Sequence, residues 1–329
     1  MNVYNRTTTD MIQGIFANDV TVVSQAITLI ESTKPSHRTI ANEIIESCLT
    51  KEVDTLRIGI TGVPGAGKST FIAQFGKLLT AQGKRVAVLT IDPSSSRTKG
   101  SILGDKTRMG ELVKDPNAYI RPSPSGSSLG GVTRKTRESI SILEAAGYDI
   151  IIIETMGVGQ SETAVHNMVD FFLLLKLAGA GDELQGIKRG IVEMADAIVI
   201  NKADGNNVQN AKLAQLELKR ALHMFPPKEN GWSTEILTCS ALENIGLETI
   251  WHLITSYSET MKKSGFFKSN RKEQNENWLL QYLEQELLLD FYRNPTTKKM
   301  LPLLKQEVIS GNISPFSAAE KLLEALRKS

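Results

Sequence analysis

The sequence predicts an α/β fold in which a mostly parallel sheet is covered by helices. Wholly apolar runs of strand length alternate with helical patterns between residues 55 and 264, and residues 150–153 are four consecutive isoleucines. Such runs are typical of parallel strands that are buried on both faces. Helical patterns alone precede and follow this region. We therefore expect an N-terminal helical extension (residues 1–54), an α/β domain (55–265) and a C-terminal helical arm (266–329).

The N-terminal extension contains three helical patterns. Apolar residues recur at helical spacing from Met11, from Val22 and from Ile40. Pro35 separates the second pattern from the third, and it suits either an early helical position or a turn. No residue pattern in this extension indicates catalysis.

The composition of the whole chain excludes several classes of partner. A formal net charge of +2 over 329 residues gives no basic field for nucleic acid or a membrane surface, so we expect neither as a partner. Two distant cysteines, Cys48 and Cys239, favour reduced thiols over a disulfide, and four scattered histidines argue against a His/Cys metal site. Neither a signal peptide nor a membrane-spanning segment is indicated. We therefore expect a cytoplasmic protein.

A glycine-rich segment joins the first apolar run to the first helix of the α/β domain. Residues 62–70 read G-V-P-G-A-G-K-S-T and match the spacing G-x-x-x-x-G-K-[ST] of a phosphate-binding loop. The glycines let successive N–H groups point at phosphate oxygens, and the following helix adds its positive end. Lys68 supplies charge for the outer phosphates, and the Ser69 hydroxyl is a ligand for Mg2+. The predicted phosphate ligands are Gly62, Pro64, Gly65, Ala66, Gly67, Lys68, Ser69 and Thr70.

Acidic residues follow two of the predicted strands at the same edge of the sheet. Asp92 follows the strand at residues 85–91, Asp105 lies on the same polar loop, and Glu154 follows residues 150–153. Carboxylates in these places can reach Mg2+ directly or through its water shell. For Asp92, capping of a helix or loop is the alternative. Ser69, Asp92, Asp105 and Glu154 are therefore the predicted Mg2+ ligands.

The segment after Glu154 carries further groups expected of a nucleotide hydrolase. The Gly157 N–H is placed to sense a γ-phosphate, and Gln160 is placed to orient the attacking water. No internal arginine finger is obvious, and Arg108 is the nearest candidate, so we expect slow unassisted hydrolysis. The predicted catalytic residues are Lys68, Glu154, Gln160 and Arg108.

A second motif selects the base. Asn201-Lys202-Ala203-Asp204 directly follows an apolar run and has the spacing N-K-x-D. The Asp204 carboxylate can accept from guanine N1–H and the exocyclic amine, whereas adenine offers neither donor there, so ATP should be rejected. The Lys202 stem can cover the base. The loop Ser240-Ala241-Leu242 fits the segment whose backbone reads the guanine oxygen. The predicted ligands are GTP and GDP.

The C-terminal arm carries an amphipathic helix. Leu279, Leu283 and Leu287 lie on one stripe, and this apolar face needs a partner. Two alternatives are open from the residues alone: packing on the protein's own sheet, or a dimerisation arm. Pro302 and Pro315 are expected to break the later helical segments.

With these motifs in place, the chain closely resembles the MeaB/ArgK/MMAA-type GTPases of the SIMIBI class, which are associated with methylmalonyl-CoA mutase. The resemblance extends over essentially the whole chain. Its most specific stretches are residues 154–162 (E-T-M-G-V-G-Q-S-E) and 179–188 (G-A-G-D-E-L-Q-G-I-K). Met156 stands where the family usually has valine, which is an apolar exchange. The other matching stretches are residues 62–70, 92–95 (D-P-S-S), 104–109 (G-D-K-T-R-M), 121–124 (R-P-S-P) and 311–315 (G-N-I-S-P).

The resemblance implies a role beyond nucleotide turnover. It implies a homodimer held partly by C-terminal helices, and slow GTP hydrolysis that the mutase accelerates. It also implies a metallochaperone-like role in which the protein gates adenosylcobalamin delivery to the mutase and protects or reactivates it. The loop at 179–188 resembles the family's additional switch, although a glycine-rich turn that caps the next helix is the alternative from the residues alone. The implied switch residues are Gly179, Asp182, Gln185 and Lys188.

Other functions stay open on these residues. Relatives carry an older label of transport-system kinase (LAO/AO), but a kinase needs a phosphoacceptor site, and none is identifiable. The partner could also be another adenosylcobalamin-dependent acyl-CoA mutase. A GTP-dependent metal-insertion chaperone is disfavoured because the sequence has no His/Cys cluster.

Overall fold

The computed structural model describes residues 6–91, 109–122, 129–155, 161–178 and 189–327. Contacts divide the chain into two compact units, Met1–Arg271 and Lys272–Ser329. The three-part division stays a prediction. No helix in the described ranges is both long and apolar enough to cross a membrane.

Seven parallel strands form the sheet of the first unit, which confirms the predicted fold class. Their order is β3-β2-β4-β1-β5-β6-β7, so the strand that leads into the glycine-rich loop lies near the middle. The strands are β1 (Leu56–Gly62), β2 (Val86–Ile91), β3 (Ala118–Pro122), β4 (Ile150–Thr155), β5 (Phe171–Leu177), β6 (Ala197–Asn201) and β7 (Glu235–Thr238).

Helices cover both faces of this sheet. Those of the first unit are α1 (Thr8–Phe16), α2 (Val20–Glu31), α3 (Pro35–Leu49), α4 (Lys68–Ala81), α5 (Gly110–Val113), α6 (Leu129–Ala145), α7 (Ser161–His166), α8 (Arg189–Met194), α9 (Val208–Leu222) and α10 (Leu247–Ser264). The first turns of α11 (Phe266–Arg293) also belong to this unit.

Alternation along the strands sends side chains into two separate cores. Ile150 and Ile152 of β4 pack with Phe71 and Phe75 of α4 on one face. On the other face, Ile151 and Ile153 join a cluster that includes residues of the three N-terminal helices. Because successive strand residues point to opposite faces, a run of four isoleucines fills both cores at once.

Local sequence signals account for the starts of the N-terminal helices. Thr7 and Asp10 form a capping box at α1, in which the Thr7 side chain accepts from the Asp10 N–H at 3.1 Å. The Asp19 carboxylate caps α2, and Pro35 occupies the first turn of α3. These three helices pack against α6 within the first unit.

A buried charge network fixes the amino-terminal edge of the sheet. The Arg57 guanidinium binds the Glu144 carboxylate with two hydrogen bonds, at 2.7 and 2.8 Å. Arg271, in the first turns of α11, binds the Asp170 carboxylate in the same way, at 2.7 and 2.6 Å. Each carboxylate accepts two hydrogen bonds from a guanidinium, so the buried charges are paired. These contacts hold the start of α11 against the amino-terminal ends of β1 and β5.

The second unit consists of the rest of α11 with α12 (Pro295–Ile309) and α13 (Pro315–Arg327). Leu304 of α12 packs with Ala318 and Leu322 of α13. Pro315 begins α13, where its missing N–H costs nothing. The expectation that Pro302 breaks a helix is wrong, since α12 continues through it. Packing of the neighbouring Leu304 offsets the lost hydrogen bond.

One further element differs from the sequence expectation. The proline-, serine- and glycine-rich sequence of residues 121–131 predicts a loop, whereas Arg121 and Pro122 are the last residues of strand β3. This strand is only partly buried, so its sequence lacks the continuous apolar run that marks the others. The sequence pattern predicts a helix over residues 184–195, and the structure describes its part Arg189–Met194 as α8, with residues 184–188 outside the described ranges.

Candidate functional site

The glycine-rich loop bends between β1 and α4 at the carboxyl edge of the sheet. Gly67 precedes α4 with φ at +85°, a left-handed conformation that favours glycine. A Cβ on Gly67 would lie 2.6 Å from Asn201 Nδ2, and one on Gly62 would lie 2.3 Å from the Leu175 carbonyl oxygen. These two positions therefore require glycine for both conformation and space, as the motif predicts.

Lys68 is the first residue of α4, and its ammonium group is buried against the loop. Its Nζ donates to the Gly62 carbonyl at 2.6 Å and to the Val63 carbonyl at 3.2 Å. Burial lowers the pKa of Lys68, while the negative charges of Glu154 and Glu162 oppose that shift. The charge that a phosphate needs is therefore held at the base of the loop beside two carboxylates.

Two predicted Mg2+ ligands meet at this place. The Ser69 hydroxyl donates to Glu154 Oε1 at 3.1 Å, and the Glu154 side chain is buried. Parallel pairing of β1 with β4 sets Ile60 beside Glu154, so the end of β4 lies next to the loop. A hydroxyl and a carboxylate are hard oxygen donors, and this set suits Mg2+. In the described ranges, no three His, Cys, Asp or Glu residues cluster as a metal site.

Asn201 joins three segments of the site. Its Nδ2 donates to the Ala66 carbonyl of the glycine-rich loop at 2.8 Å. Its Oδ1 accepts from the Ala241 N–H at 3.1 Å and from the Cys239 thiol at 3.3 Å. One buried amide therefore fixes the phosphate loop, the N-K-x-D turn and the segment after β7 relative to one another.

The N-K-x-D turn presents Asp204 toward the segment after β7. Ser240 donates its hydroxyl proton to Asp204 Oδ2, and the Ala203 N–H donates to the Cys239 carbonyl at 2.9 Å. Lys202 adopts a left-handed conformation with φ at +57°, and its carbonyl accepts from Asn207 Nδ2 at 2.8 Å. The structure therefore brings together the predicted base-binding residues, with Leu242 exposed beside them.

Several predicted site residues lie outside the described ranges, so the structure does not place them. They are Asp92, Asp105, Arg108, Gly157, Gln160, Gly179, Asp182, Gln185 and Lys188. The predicted phosphate ligands lie in one continuous stretch. Gly62 ends β1, Pro64, Gly65 and Ala66 lie in the loop, and Lys68 and Thr70 lie in the first turn of α4.

Sequence reasoning left several described residues at this edge unassigned, among them Cys239, Asn207, Thr61 and Thr155. Cys239 contacts Asn201, and burial followed by the charge of Asp204 raises its pKa to about 12, so it acts as a neutral thiol. Asn207 supports Lys202. The remaining pair, Thr61 and Thr155, share a buried hydrogen bond. Each residue lies within a few positions of a recognised motif, but spacing within a motif does not reveal contacts made across strands.

A phosphate loop and an N-K-x-D turn joined at the carboxyl edge of a parallel sheet define a P-loop GTPase. The family described as "Methylmalonyl Co-A mutase-associated GTPase MeaB" matches residues 23–296, and the chain belongs to this family.

Relatives across the whole chain agree with this assignment. A probable GTPase of Mycobacterium tuberculosis is 48% identical over 94% of this chain and 93% of its own length. The GTPase ArgK of Escherichia coli is 42% identical over 98% and 97%. The mitochondrial methylmalonic aciduria type A homolog of Mus musculus is 44% identical over 95% and 78%. The protein is therefore a GTPase that hydrolyses GTP.

A solved structure also matches the fold over the whole chain. The crystal structure of a protein described as "LAO/AO transport system kinase" covers 99% of this chain and 100% of its own, with a TM-score of 0.79 and 36% identity. Its architecture and the sequence relatives support the same class.

Proposed function

We propose that this GTPase is a switch protein that assists an adenosylcobalamin-dependent acyl-CoA mutase, with methylmalonyl-CoA mutase as the first candidate. In this role it gates cofactor loading and protects or reactivates the mutase. The observation that supports the proposal is the family match over residues 23–296, whose description names association with that mutase. The name of the mouse relative, which refers to methylmalonic aciduria, agrees with it.

The residues at the carboxyl edge support a division of labour during GTP binding and hydrolysis. Lys68 and the loop N–H groups bind the outer phosphates, and Asp204 selects guanine. Ser69 and Glu154 are the described residues that would hold Mg2+, which neutralises phosphate charge when bound. The rigid contacts of Asn201 keep both halves of the nucleotide site in register.

Three segments are proposed to respond to the γ-phosphate: residues 92–108, 154–162 and 179–188. Each begins at or just beyond the carboxyl end of a strand near the phosphate loop, namely β2, β4 and β5. Loops in this position can order around a γ-phosphate and relax after hydrolysis, and a partner can read the difference. Arg108 and Gln160 stay candidates for hydrolysis within these segments.

The decisive experiment measures phosphate release from GTP with and without methylmalonyl-CoA mutase loaded with adenosylcobalamin. We expect at least a tenfold acceleration, about 1.4 kcal/mol of barrier, when the partner orders the switch segments. The Lys68→Ala variant is the control for contaminating phosphatases, because it removes the phosphate-binding charge. Absence of both binding and acceleration would contradict this mutase as partner. Isobutyryl-CoA and ethylmalonyl-CoA mutases, tested in parallel, then decide between the remaining acyl-CoA mutases.

A second candidate function is phosphotransfer to a transport component. The matching crystal structure is that of a protein described as a transport system kinase, and this observation alone favours the second function. GTP labelled in the γ-phosphate distinguishes the two functions, since a hydrolase releases labelled inorganic phosphate whereas a kinase labels a protein. We expect release only.

We also propose that a second copy of this chain covers the apolar face of the C-terminal unit. On α11, Leu279, Leu283 and Leu287 recur every four residues and are 58%, 47% and 69% exposed. A groove of about 960 Å³ continues this face, and its lining includes Leu288, Phe291, Leu301 and Leu322. Exposed apolar surface of this extent marks an association site.

The two cysteines support a cytoplasmic location in this proposal. Cys48 and Cys239 are both free and buried. Free thiols are the usual state of cysteines in a reducing compartment.

A further inference from the structure

Two buried threonines connect the strand ends on either side of the phosphate site. The Thr155 hydroxyl donates to the Thr61 hydroxyl oxygen at 2.8 Å. Both side chains are almost fully buried, at 0% and 1% exposure. Thr61 lies one residue before Gly62 at the start of the phosphate loop, and Thr155 is the last residue of β4 before segment 156–160.

The threonine pair lies on the opposite face of the sheet from the Mg2+ ligands. Glu154 and Thr155 are consecutive strand residues, so their side chains point to opposite faces. Glu154 meets Ser69 on the α4 face, and Thr155 meets Thr61 on the other. In addition to its backbone pairing with β1 and β2, the carboxyl end of β4 therefore has a side-chain hydrogen bond toward the phosphate loop or its helix on each face of the sheet.

Helix α7 covers the face on which the threonine pair lies. A Cβ on Gly59 would lie 3.0 Å from Val165 of this helix, so α7 packs directly on β1. Glu162 is one turn earlier on α7 and is 2% exposed. Its negative charge opposes the lowering of the pKa of Lys68 that burial causes. The end of β4 and helix α7 are therefore both packed against β1.

We propose that Thr61 and Thr155 are positioning residues for GTP hydrolysis. Their hydrogen bond fixes the end of β4 against the strand of the phosphate loop, so that segment 156–160 starts from a set place relative to the γ-phosphate. The inference deepens the proposed function, since it rests on the predicted contact of the Gly157 N–H with that phosphate. It requires no contact of either threonine with the nucleotide.

The chemistry of the pair predicts a loss in rate with little loss in GDP binding. Valine has nearly the shape of threonine and favours strands, so Thr→Val removes a hydroxyl and keeps the packing. Without this bond the end of β4 samples more positions, and this slows only the steps that involve the γ-phosphate. GDP lacks that group, so its affinity should persist.

The test measures unassisted turnover of Thr61→Val, Thr155→Val and the double variant, together with the Kd for GDP and the melting temperature. We expect kcat to fall about tenfold in each single variant, and no further in the double variant, since both substitutions remove the same bond. The Kd for GDP should stay within about twofold of wild type. Thr155→Ser keeps the hydroxyl and should keep most of kcat.

Thr55→Val is the matched control at the other end of the same strand. The Thr55 hydroxyl is also buried, and it donates to the Tyr148 carbonyl at 2.7 Å at the amino-terminal edge. This variant should lose similar thermal stability with unchanged kcat. An unchanged kcat in Thr155→Val, additive losses in the double variant, or an equal loss in Thr55→Val would each overturn the proposal.

The outcome is separable from that of the proposed function. Turnover is measured without a mutase, so a failure to find the partner leaves the result intact. Gly157→Ala keeps the N–H but narrows the backbone conformations that can present it, so it tests the γ-phosphate contact without altering either threonine. If that variant lowers kcat while Thr155→Val does not, the positioning role is refuted and the proposed switch stands.

Discussion

The nucleotide edge of the α/β unit and the C-terminal helical unit differ in how far their side chains find partners within their own unit. At the nucleotide edge, buried polar groups find partners within the same unit, as Asn201 does with Ala66 and Ala241. In the C-terminal unit, a small core around Leu304 leaves a row of leucines on α11 exposed. In the described residues, the first region pairs buried polar groups such as the Asn201 amide, and the second exposes apolar surface whose contact with water is unfavourable.

This difference indicates that the two regions contribute different properties. The cross-linked nucleotide edge sets which ligand binds, because its donors and acceptors are fixed before the ligand arrives. The exposed leucines would govern the proposed self-association, because burial of apolar surface is the main favourable term when chains meet. Substitutions in one region should therefore leave the property of the other unchanged, and this separation is open to test.

The largest effect is expected for Asp204→Asn. The carboxylate accepts from two guanine donors, whereas an amide offers one acceptor and one donor, so its N–H groups face the guanine amine. We expect GTP affinity to fall about a hundredfold or more, for a loss of about 3 kcal/mol. Titration with a fluorescent GTP analogue measures the change, and sedimentation should show unchanged association.

Xanthosine triphosphate provides the control for Asp204→Asn. Xanthine carries a carbonyl in place of the guanine amine, so the amide donor of the variant gains an acceptor. Recovery of affinity with this nucleotide would show that the fold is intact. An unchanged preference for GTP over ATP in the variant would remove the guanine assignment of Asp204.

A smaller effect, on self-association, is expected for Leu287→Asp. This leucine is 69% exposed on α11, and burying it in a dimer stabilises association by about 2 kcal/mol. The charged replacement should weaken self-association by roughly thirtyfold, as measured by analytical ultracentrifugation over a range of concentrations. GTP affinity should stay the same.

Leu216→Asp is the matched control for the C-terminal substitution. Leu216 is 53% exposed on α9 of the α/β unit, so the change in surface is comparable. Its association should equal that of wild type. Equal weakening of self-association in both variants would mean that the added charge in general, and not the α11 face, governs association. Unchanged self-association in Leu287→Asp would contradict the proposed dimer surface.

The sequence predicted the nucleotide edge better than the contacts that hold it. Motifs such as residues 62–70 and 201–204 are contiguous, so their spacing states which groups must lie together. The bond between Thr61 and Thr155 joins positions 94 residues apart, and it depends on the register of β1 with β4. Local pattern also failed at two other places. Strand β3 is only partly buried and lacks a continuous apolar run, and α12 continues through Pro302 against its local preference.

The smallest effect is expected for Asn207→Ala, and it sharpens the account of the nucleotide edge. Asn207 is not among the residues predicted to bind the nucleotide, but its Nδ2 donates to the Lys202 carbonyl at 2.8 Å. This bond holds Lys202, a predicted base-binding residue, in a left-handed conformation. Loss of one such hydrogen bond costs about 1 kcal/mol, so GTP and GDP affinities should both fall roughly fivefold.

The control for Asn207 is its neighbour on the same surface. Among the described residues, Asn210 donates from its side chain only to Asn207 Oδ1, at a long 3.4 Å, so Asn210→Ala should bind nucleotide as wild type does. A matching loss of GTP and GDP in Asn207→Ala assigns the effect to the base, since the two ligands differ only at the γ-phosphate. A loss confined to GTP would instead place the turn under the influence of the γ-phosphate, and the nucleotide edge would then be less rigid than its hydrogen bonds indicate.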